Sequence, residues 1–155
     1  MARHSTPARP AKLRDFLCFS VYSANLAFGR AYRPILDKLG LTYTQYVTLV
    51  ALGEVVEQSV SELGERLFLE SNTLTPILKK LETLGLVGRR RDPTDERSVR
   101  VSITPAGRKL RQAVEASAAD LVAAAGLGDD FSKVQKTVAT LRDNLLQSVK
   151  GTTGS

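Results

Sequence analysis

The sequence has few of the residues on which disulfides, zinc sites and catalytic triads depend. Its 155 residues include one cysteine, Cys18, one histidine, His4, and no tryptophan. A single cysteine cannot form a disulfide within the chain, and one histidine leaves little for a zinc site or a Ser-His-Asp triad. We therefore expect no metal site and no cofactor.

Long apolar runs are also missing. No stretch approaches the ~20 apolar residues that a membrane-spanning helix needs. The run from Phe16 to Phe28 follows basic residues, as in a secretory signal, but it contains serines and an asparagine and is followed at once by Arg30. With 43% hydrophobic and 25% charged residues, the composition is that of a globular domain, and we expect a cytoplasmic protein with no membrane partner.

Positive charge is concentrated in one segment. The chain carries a net charge of +6, and the segment from Lys79 to Arg111 holds ten basic and four acidic residues, so that the remainder is neutral. Such a segment is either a solvated surface or a face that binds a polyanion such as nucleic acid. The elements around it decide between the two.

The spacing of apolar residues predicts a mainly helical chain with a short arm (1–12) and a tail (151–155). A first helix is predicted from Leu13 to about residue 39, with Pro34 bending or ending it. Capping-box pairs predict two more helices, the first pair being Thr42 with Gln45 and the second Ser59 with Glu62. A fourth helix is predicted to begin within residues 72–74, which would keep Pro76 in its first turn.

After the fourth helix the apolar period changes from helical to alternating. Val87–Arg91 and Val99–Ile103 are predicted to form a two-stranded hairpin, and Thr104 with Pro105 opens a long helix. A last helix comes next, with its apolar residues from Phe131 to Val149 facing inward. We predict a single domain over 13–150, in which 42–104 forms a compact lobe and 13–39 and 105–150 are dimerisation helices.

Short helices followed by a basic hairpin form the order of a winged helix-turn-helix, in which the fourth helix enters the DNA major groove and the hairpin, or wing, reaches a minor groove. The same segment could instead be an ordinary amphipathic packing helix. On the DNA-binding interpretation, the candidate contact residues are polar or basic and lie on that helix and on the wing. They are Ser71, Asn72, Thr73, Thr75, Pro76, Lys79, Lys80, Arg89, Arg90, Arg91, Asp95, Arg97 and Arg100.

The run from Ser71 to Glu82, followed by Asp95-Glu96-Arg97-Ser98 and Thr104, resembles the DNA-binding core of MarR-family regulators. The resemblance implies a mainly α-helical fold with a small β-hairpin wing and an intertwined helical homodimer. It also implies a repressor that binds a palindromic double-stranded DNA operator. Arg97 would be its minor-groove residue, oriented by Asp95.

The region before this core resembles the organic hydroperoxide resistance regulators, or OhrR type, within that family. The matching stretches are Leu17-Cys18-Phe19, Tyr32-Arg33-Pro34 and Leu41-Thr42-Tyr43. The resemblance implies that Cys18 is a peroxide-reactive sensor and that Tyr32 and Tyr43 lie near it. Oxidation by an organic hydroperoxide would then release the DNA. Tyr22, one turn from Cys18, either joins this network or packs in the interface.

The spacing of Cys18 and Tyr32 tests the sensor interpretation. On one helix they would fall within roughly 40° of each other but ~21 Å apart along the axis, so they cannot touch within one chain. An antiparallel crossing of two first helices in a twofold dimer would bring them together and bury the sulfur. There a phenol that donates a hydrogen bond favours the thiolate, which is the nucleophile toward peroxide.

The lone cysteine also limits the chemistry after oxidation. The sulfenic acid has no second cysteine in the chain to resolve it, so we expect a mixed disulfide with a low-molecular-weight thiol, or slower overoxidation. Two alternatives remain open. Cys18 could be a small core residue in a repressor controlled by a small aromatic ligand, or the chain could be a thiol peroxidase, which would turn over peroxide but would leave the basic segment unexplained.

Overall fold

The structure, a computed structural model, describes residues 12–152, so the predicted arm (1–12) lies outside it except for Lys12, and residues 153–155 of the tail also lie outside. The described chain forms two compact units, 12–118 and 119–152, whose boundary falls inside one long helix. The predicted domain limits remain a prediction. No helix within the described residues is long and apolar enough to cross a membrane.

The first helix begins later than predicted. A 3-10 turn occupies Leu13–Asp15, and α1 spans Leu17–Asp37. Between them Phe16 has extended backbone angles (φ −86°, ψ 117°), which interrupts the helical hydrogen bonds. Pro34 lies inside α1, and the helix continues beyond it to Asp37. A turn follows that ends at Gly40, whose φ is +67°.

Both predicted capping boxes are confirmed, and each opens a helix. At the start of α2 (Tyr43–Gly53) the Thr42 amide donates to Gln45 Oε1 at 2.9 Å and the Gln45 amide donates to Thr42 Oγ1 at 3.3 Å. At the start of α3 (Val60–Leu67) the Ser59 amide donates to Glu62 Oε2 at 2.7 Å. These reciprocal bonds satisfy amides that have no partner within the helix.

The fourth helix, α4, spans Ser71–Thr83, so the predicted start within 72–74 is wrong by one residue or more. Its first carbonyl acceptor is Glu70, whose oxygen receives the Leu74 amide at 3.0 Å, and no side chain caps the helix. Pro76 is therefore the sixth helical residue. It removes the amide that would bond to the Asn72 carbonyl, which water can serve instead because Asn72 is exposed.

The predicted hairpin is confirmed, and a third strand joins it. The strands are β1 (Gln58–Ser59), β2 (Val87–Arg91) and β3 (Val99–Ile103), all antiparallel in the order β1-β3-β2. The sequence analysis missed β1, which has only two residues. The sheet, α1–α4 and the first part of the helix that follows β3 form one core. Its fully buried members include Leu36, Leu49, Leu52, Leu63, Leu74, Leu78, Leu81, Val101 and Val114.

Two long helices complete the chain. α5 spans Pro105–Ala124 and is capped as predicted, since the Gly107 amide donates to Thr104 Oγ1 at 3.1 Å. A 3-10 turn over Gly128–Asp130 precedes α6, which spans Phe131–Thr152. The prediction that apolar residues of this last helix face inward is wrong for the single chain. Phe131, Val134, Val138, Leu145 and Val149 are each at least 38% exposed.

Candidate nucleic-acid interface and redox site

One face of α4 is polar and exposed, and the opposite face is buried. Leu74, Leu78 and Leu81 point into the core, with at most 1% of each exposed. The helical period therefore turns the predicted contact residues to solvent. These exposed residues are Ser71, Asn72, Thr73, Thr75, Pro76, Lys79 and Lys80.

The threonine hydroxyls on this face differ in whether they already make a hydrogen bond within the protein. Thr75 Oγ1 already donates to the Ser71 carbonyl at 2.7 Å, whereas Thr73 Oγ1 makes only a long contact of 3.4 Å with Asn72 Oδ1. Lys79 and Lys80 form no ion pair with any residue in the described range. The lysines, Asn72 and Thr73 are thus the groups on α4 best placed to contact an outside partner.

Three of the predicted wing arginines form ion pairs inside the protein. Arg89 Nε donates to Glu82 of α4 at 2.8 Å, and Arg90 Nε donates to Glu57, in the loop before β1, at 3.1 Å. These acidic partners were missed by the sequence analysis, because they are distant in sequence or belong to another element. They leave Arg89 and Arg90 less available for DNA than their sequence position indicates.

The third arginine, Arg100, ties the wing to α3. Its Nε donates to Asp92 Oδ2 at 2.8 Å and its Nη1 to Glu62 Oε2 at 3.3 Å. Asp92 Oδ1 also accepts the Thr94 amide at 2.9 Å and the Thr94 hydroxyl at 2.7 Å. The bonds from Thr94, assisted by Arg100, lower the pKa of Asp92 to about 2.

The outer part of the wing keeps two arginines without an internal partner. Arg91 and Arg97 are exposed, and within residues 12–152 neither guanidinium pairs with a carboxylate. Asp95 Oδ1 accepts the Arg97 amide at 3.1 Å, so it fixes the backbone that carries Arg97 rather than the guanidinium itself. This arrangement leaves the Arg97 side chain free to extend from the wing.

A cluster of three tyrosines joins α1 to α2. The Tyr32 ring centroid lies 5.2 Å from that of Tyr43 and 5.9 Å from that of Tyr46. Burial raises the pKa of Tyr43, and burial with the neighbouring Tyr32 raises the pKa of Tyr46 to about 12. Both phenols therefore stay protonated near neutral pH and can donate hydrogen bonds. The sequence analysis did not single out Tyr46 as a site residue.

Cys18 lies in the first turn of α1 and is exposed in the single chain, so the expected burial of its sulfur is not provided by the chain's own fold. Because Cys18 and Tyr32 lie on one continuous helix, the ~21 Å that separates them along its axis rules out contact within a chain. Tyr22 is 59% exposed and its ring lies 6.4 Å from that of Phe19, away from the other tyrosines.

A cleft of about 550 Å³ lies beside the tyrosine cluster, between α1 and the start of α2. Two arginines of α1, Arg30 and Arg33, line it together with Tyr43, Leu26 and Leu41. Asp37 also lines the cleft, so its charged groups are two guanidiniums and one carboxylate beside apolar and aromatic surface. The net positive charge suits a small anion with an aromatic or aliphatic body.

Comparison with known proteins places these features in a family. The model for the transcriptional regulator SarA/Rot family matches residues 30–114. The chain is 39% identical over 137 residues to the organic hydroperoxide resistance transcriptional regulator of Bacillus subtilis, covering 88% of this chain and 93% of that protein. It is 44% identical over 137 residues to the regulator TtmR of Methylorubrum extorquens, covering 88% and 70%.

The fold is similar to that of solved regulators. The crystal structure of the overoxidized AbfR bound to DNA is 34% identical in sequence, with a TM-score of 0.71 over 86% of this chain and 94% of that one. The predicted fold class and the resemblance to MarR-type regulators are confirmed. The chain belongs to the SarA/Rot group of MarR-like winged-helix transcriptional regulators.

Proposed function

We propose that this regulator is a peroxide-sensing repressor whose homodimer binds operator DNA and is released when an organic hydroperoxide oxidises Cys18. The observation that carries the proposal is the contact between Tyr32 and Tyr43 of α2, with ring centroids 5.2 Å apart. Tyr32 lies on α1, the helix that also carries the only cysteine of the sequence. Two relatives support it by name, the organic hydroperoxide resistance regulator of Bacillus subtilis and the overoxidized AbfR.

The DNA-binding part of the proposal rests on charge and shape. α4 presents Lys79 and Lys80 beside the exposed Asn72 and Thr73, and the wing presents Arg91 and Arg97. A helix of this kind fits the major groove, while an arginine on a wing fits the narrower minor groove. AbfR, which shares the fold, has been solved on DNA.

The proposed dimer rests on apolar side chains that are exposed in the single chain. In α1 the exposed apolar side chains include Leu17, Tyr22 and Phe28, at 47–63% exposure, and in α6 they include Leu145 and Val149, at 57% and 65%. Exposed apolar side chains in this number are typical of surfaces that a second copy covers. We assign each of these two surfaces to contacts between two copies of the chain.

The sensor step is a two-electron oxidation. The Cys18 thiolate attacks the terminal oxygen of the hydroperoxide, the O–O bond breaks, and sulfur keeps the hydroxyl as a sulfenic acid. The alkoxide takes up a proton and leaves as the alcohol. A low-molecular-weight thiol then displaces the hydroxyl as water and forms a mixed disulfide, because the chain has no second cysteine.

Release is explained by the geometry of two half-sites. Modification adds polar bulk to a packed subunit interface and shifts one DNA-binding lobe relative to the other. Half-sites lie about one helical turn apart, so a small rotation prevents both lobes from engaging at once. We propose that the protein reacts once per subunit and does not turn over peroxide as an enzyme does.

The test is DNA binding followed together with the chemical state of Cys18. Wild-type protein on the promoter beside its own gene should lose affinity on addition of cumene hydroperoxide and regain it with reductant. Intact-mass spectrometry on the same samples assigns the release to the sulfenic acid, the mixed disulfide or an overoxidised form. This assignment is needed because AbfR has been solved on DNA in its overoxidized state.

The deciding variant is Cys18→Ser, with Ser20→Ala in the same turn of α1 as its control. Cys18→Ser should bind the operator normally and ignore the peroxide, whereas Ser20→Ala should respond as the wild type does. Release of Cys18→Ser by the hydroperoxide at the wild-type rate would contradict the proposal, because the sensor would then lie elsewhere.

The cleft beside Tyr43 favours a second candidate function, a repressor controlled by a small aromatic anion. Arg30 and Arg33 could bind a carboxylate, and the apolar walls could bind a ring. Thermal-shift measurements separate the two functions. Phenolic acids should raise the melting temperature of both the wild type and Cys18→Ser if this candidate is right, whereas hydroperoxide should affect only the wild type if the first is.

A further inference from the structure

The tyrosine cluster is graded in burial from its outer to its inner ring. Tyr43 is 38% exposed, Tyr32 is half-buried, and Tyr46 is 7% exposed and belongs to the core of the winged-helix lobe. Tyr43 and Tyr46 are three residues apart on α2 and share one face of that helix. The Tyr32 side chain of α1 therefore lies between an exposed outer ring and a buried inner ring.

Only the inner ring is held on its far side. Tyr46 packs in the core cluster, and its phenol interacts electrostatically with Arg111 and Glu115 on α5. Arg111 Nε donates to Glu115 Oε1 at 2.7 Å. Tyr43 can yield toward solvent, but Tyr46 cannot move without opening a cavity in the core. Tyr46 thus limits the orientations that the neighbouring Tyr32 ring can adopt.

We propose that Tyr46 is a positioning residue of the redox sensor, whose ring holds Tyr32 in the orientation from which its phenol reaches Cys18 of the partner subunit. The inference rests on the proposed function. Tyr46 itself touches neither the sulfur nor the peroxide. It acts by keeping the hydrogen-bond donor in place while the sulfur attacks the peroxide oxygen.

Two variants distinguish the contribution of the Tyr46 ring to the oxidation rate from that of its hydroxyl. Tyr46→Leu removes the ring, leaves space beside Tyr32, and should slow the oxidation of Cys18 by cumene hydroperoxide roughly 10- to 100-fold, the cost of misplacing a reacting partner by about 1 Å or less. Tyr46→Phe keeps the ring and should react close to the wild-type rate. Rates are measured by quenching and intact-mass spectrometry at a temperature where every variant is folded.

The control is Val47→Ala, which perturbs α2 at the next residue, about 100° around the helix from Tyr46. Val47 is half-buried against the core, so its truncation destabilises the lobe without removing a ring from Tyr32. It should leave the oxidation rate unchanged. Tyr46→Met, whose longer and more flexible side chain adapts to the space, serves as the non-aromatic variant if Tyr46→Leu does not fold.

A double-mutant cycle on the oxidation rate distinguishes a positioning role of Tyr46 from a purely structural one. In a Tyr32→Phe background there is no phenol hydroxyl to position, so Tyr46→Leu should slow oxidation no further. The inference is supported if Tyr46→Leu is slow, Tyr46→Phe and Val47→Ala are not, and the two tyrosine changes are not additive.

Three results would overturn it. These are equal slowing by Tyr46→Leu and Val47→Ala, slowing by Tyr46→Phe as large as that by Tyr46→Leu, and additive effects in the Tyr32→Phe background. Each of these leaves the proposed function standing. Failure of wild-type Cys18 to react with the hydroperoxide would instead remove the proposed function, and this inference with it.

Discussion

At the scale of single residues, Gly107 near the start of α5 packs directly against the backbone at Leu86. A Cβ at this position would overlap the Leu86 carbonyl oxygen and lie 2.8 Å from Ile103 Cγ1. The neighbouring Thr104 donates to the Gly85 carbonyl at 2.7 Å, which ties the start of α5 to the end of α4. A glycine is therefore required where α5 crosses this backbone.

We predict that Gly107→Ala destabilises the protein by about 1–3 kcal/mol, because the overlapping atoms belong to backbone and to a buried side chain that cannot move aside. Gly88→Ala is the control, since a Cβ there meets only Ser102 Oγ at 3.7 Å, an ordinary contact. Chemical denaturation measures both. Equal stability of Gly107→Ala and the wild type would show that α5 can shift away from Leu86.

At the scale of elements, ion pairs attach the wing to the neighbouring helices and to the loop before β1. Its ion pairs reach α3, α4 and the loop before β1 through Arg100, Arg89 and Arg90 respectively. Asp92 is the most buried carboxylate among them and joins β3 to the first residues of the wing loop. The base of the wing is thus fixed by the protein, and its outer arginines remain available for a partner.

The lowered pKa of Asp92 gives the wing a pH dependence of known sign. Because the pKa falls from its ordinary 3.8 to about 2 on folding, the stabilisation is complete above pH 4 and is lost as pH falls through about 2. Asp92→Asn should therefore lose stability relative to the wild type near neutral pH, and the difference should shrink below pH 4. Denaturation between pH 7 and pH 3 measures this, and a constant difference would contradict it.

The two adjacent arginines at the end of β2 should differ in their effect on DNA binding. Arg91→Ala should weaken binding and reduce the slope of log affinity against log salt by about 1 per site, because it would remove a proposed phosphate contact. Arg90→Ala should change the slope less, because Arg90 is paired with Glu57. Equal changes in slope for the two variants, measured by fluorescence anisotropy, would show that the Arg90 pair opens on DNA.

The elements show what the sequence could and could not predict. Both strands of the hairpin and both capping boxes can be read from local patterns, since a side-chain cap and an alternating strand are specified by neighbouring residues. The start of α4 was misjudged because Pro76 was assumed to need the first turn, whereas an exposed Asn72 carbonyl tolerates the missing amide. Partners such as Glu57 for Arg90, 33 residues apart, depend on the tertiary fold.

At the scale of the whole molecule, the family could be predicted from the sequence, whereas the sensor role of Cys18 stays a prediction. Cys18 lies in an exposed turn of α1, and its contacts depend on what covers that helix. The same holds for the apolar side chains of α6, which were predicted to face inward and are exposed. Both differences between prediction and structure have the same reason. A pattern of apolar residues indicates that side chains are buried, but not whether the same chain or a second copy covers them.

We predict that a charge in the apolar stripe of α6 separates the dimer. Leu145→Asp places a carboxylate where the side chain is 57% exposed in the single chain and would be buried by a second copy. Analytical ultracentrifugation should show the 16.9 kDa chain instead of twice that mass, with loss of operator binding. Lys136→Asp, nine residues away and on the opposite side of the helix, should leave the dimer intact. A dimeric Leu145→Asp would contradict the assignment.

The ion pairs that hold the base of the wing also affect how the salt dependence of DNA binding is interpreted. Added electrolyte screens the exposed pairs formed by Arg90 and Arg100 at the same time as it competes for the operator. If the wing loosens at high ionic strength, affinity falls more steeply with salt. The slope of log affinity against log salt is then larger than the number of neutralised phosphates alone would give. The ion count deduced from the wild type alone is therefore an upper bound, and only differences between matched variants report individual contacts.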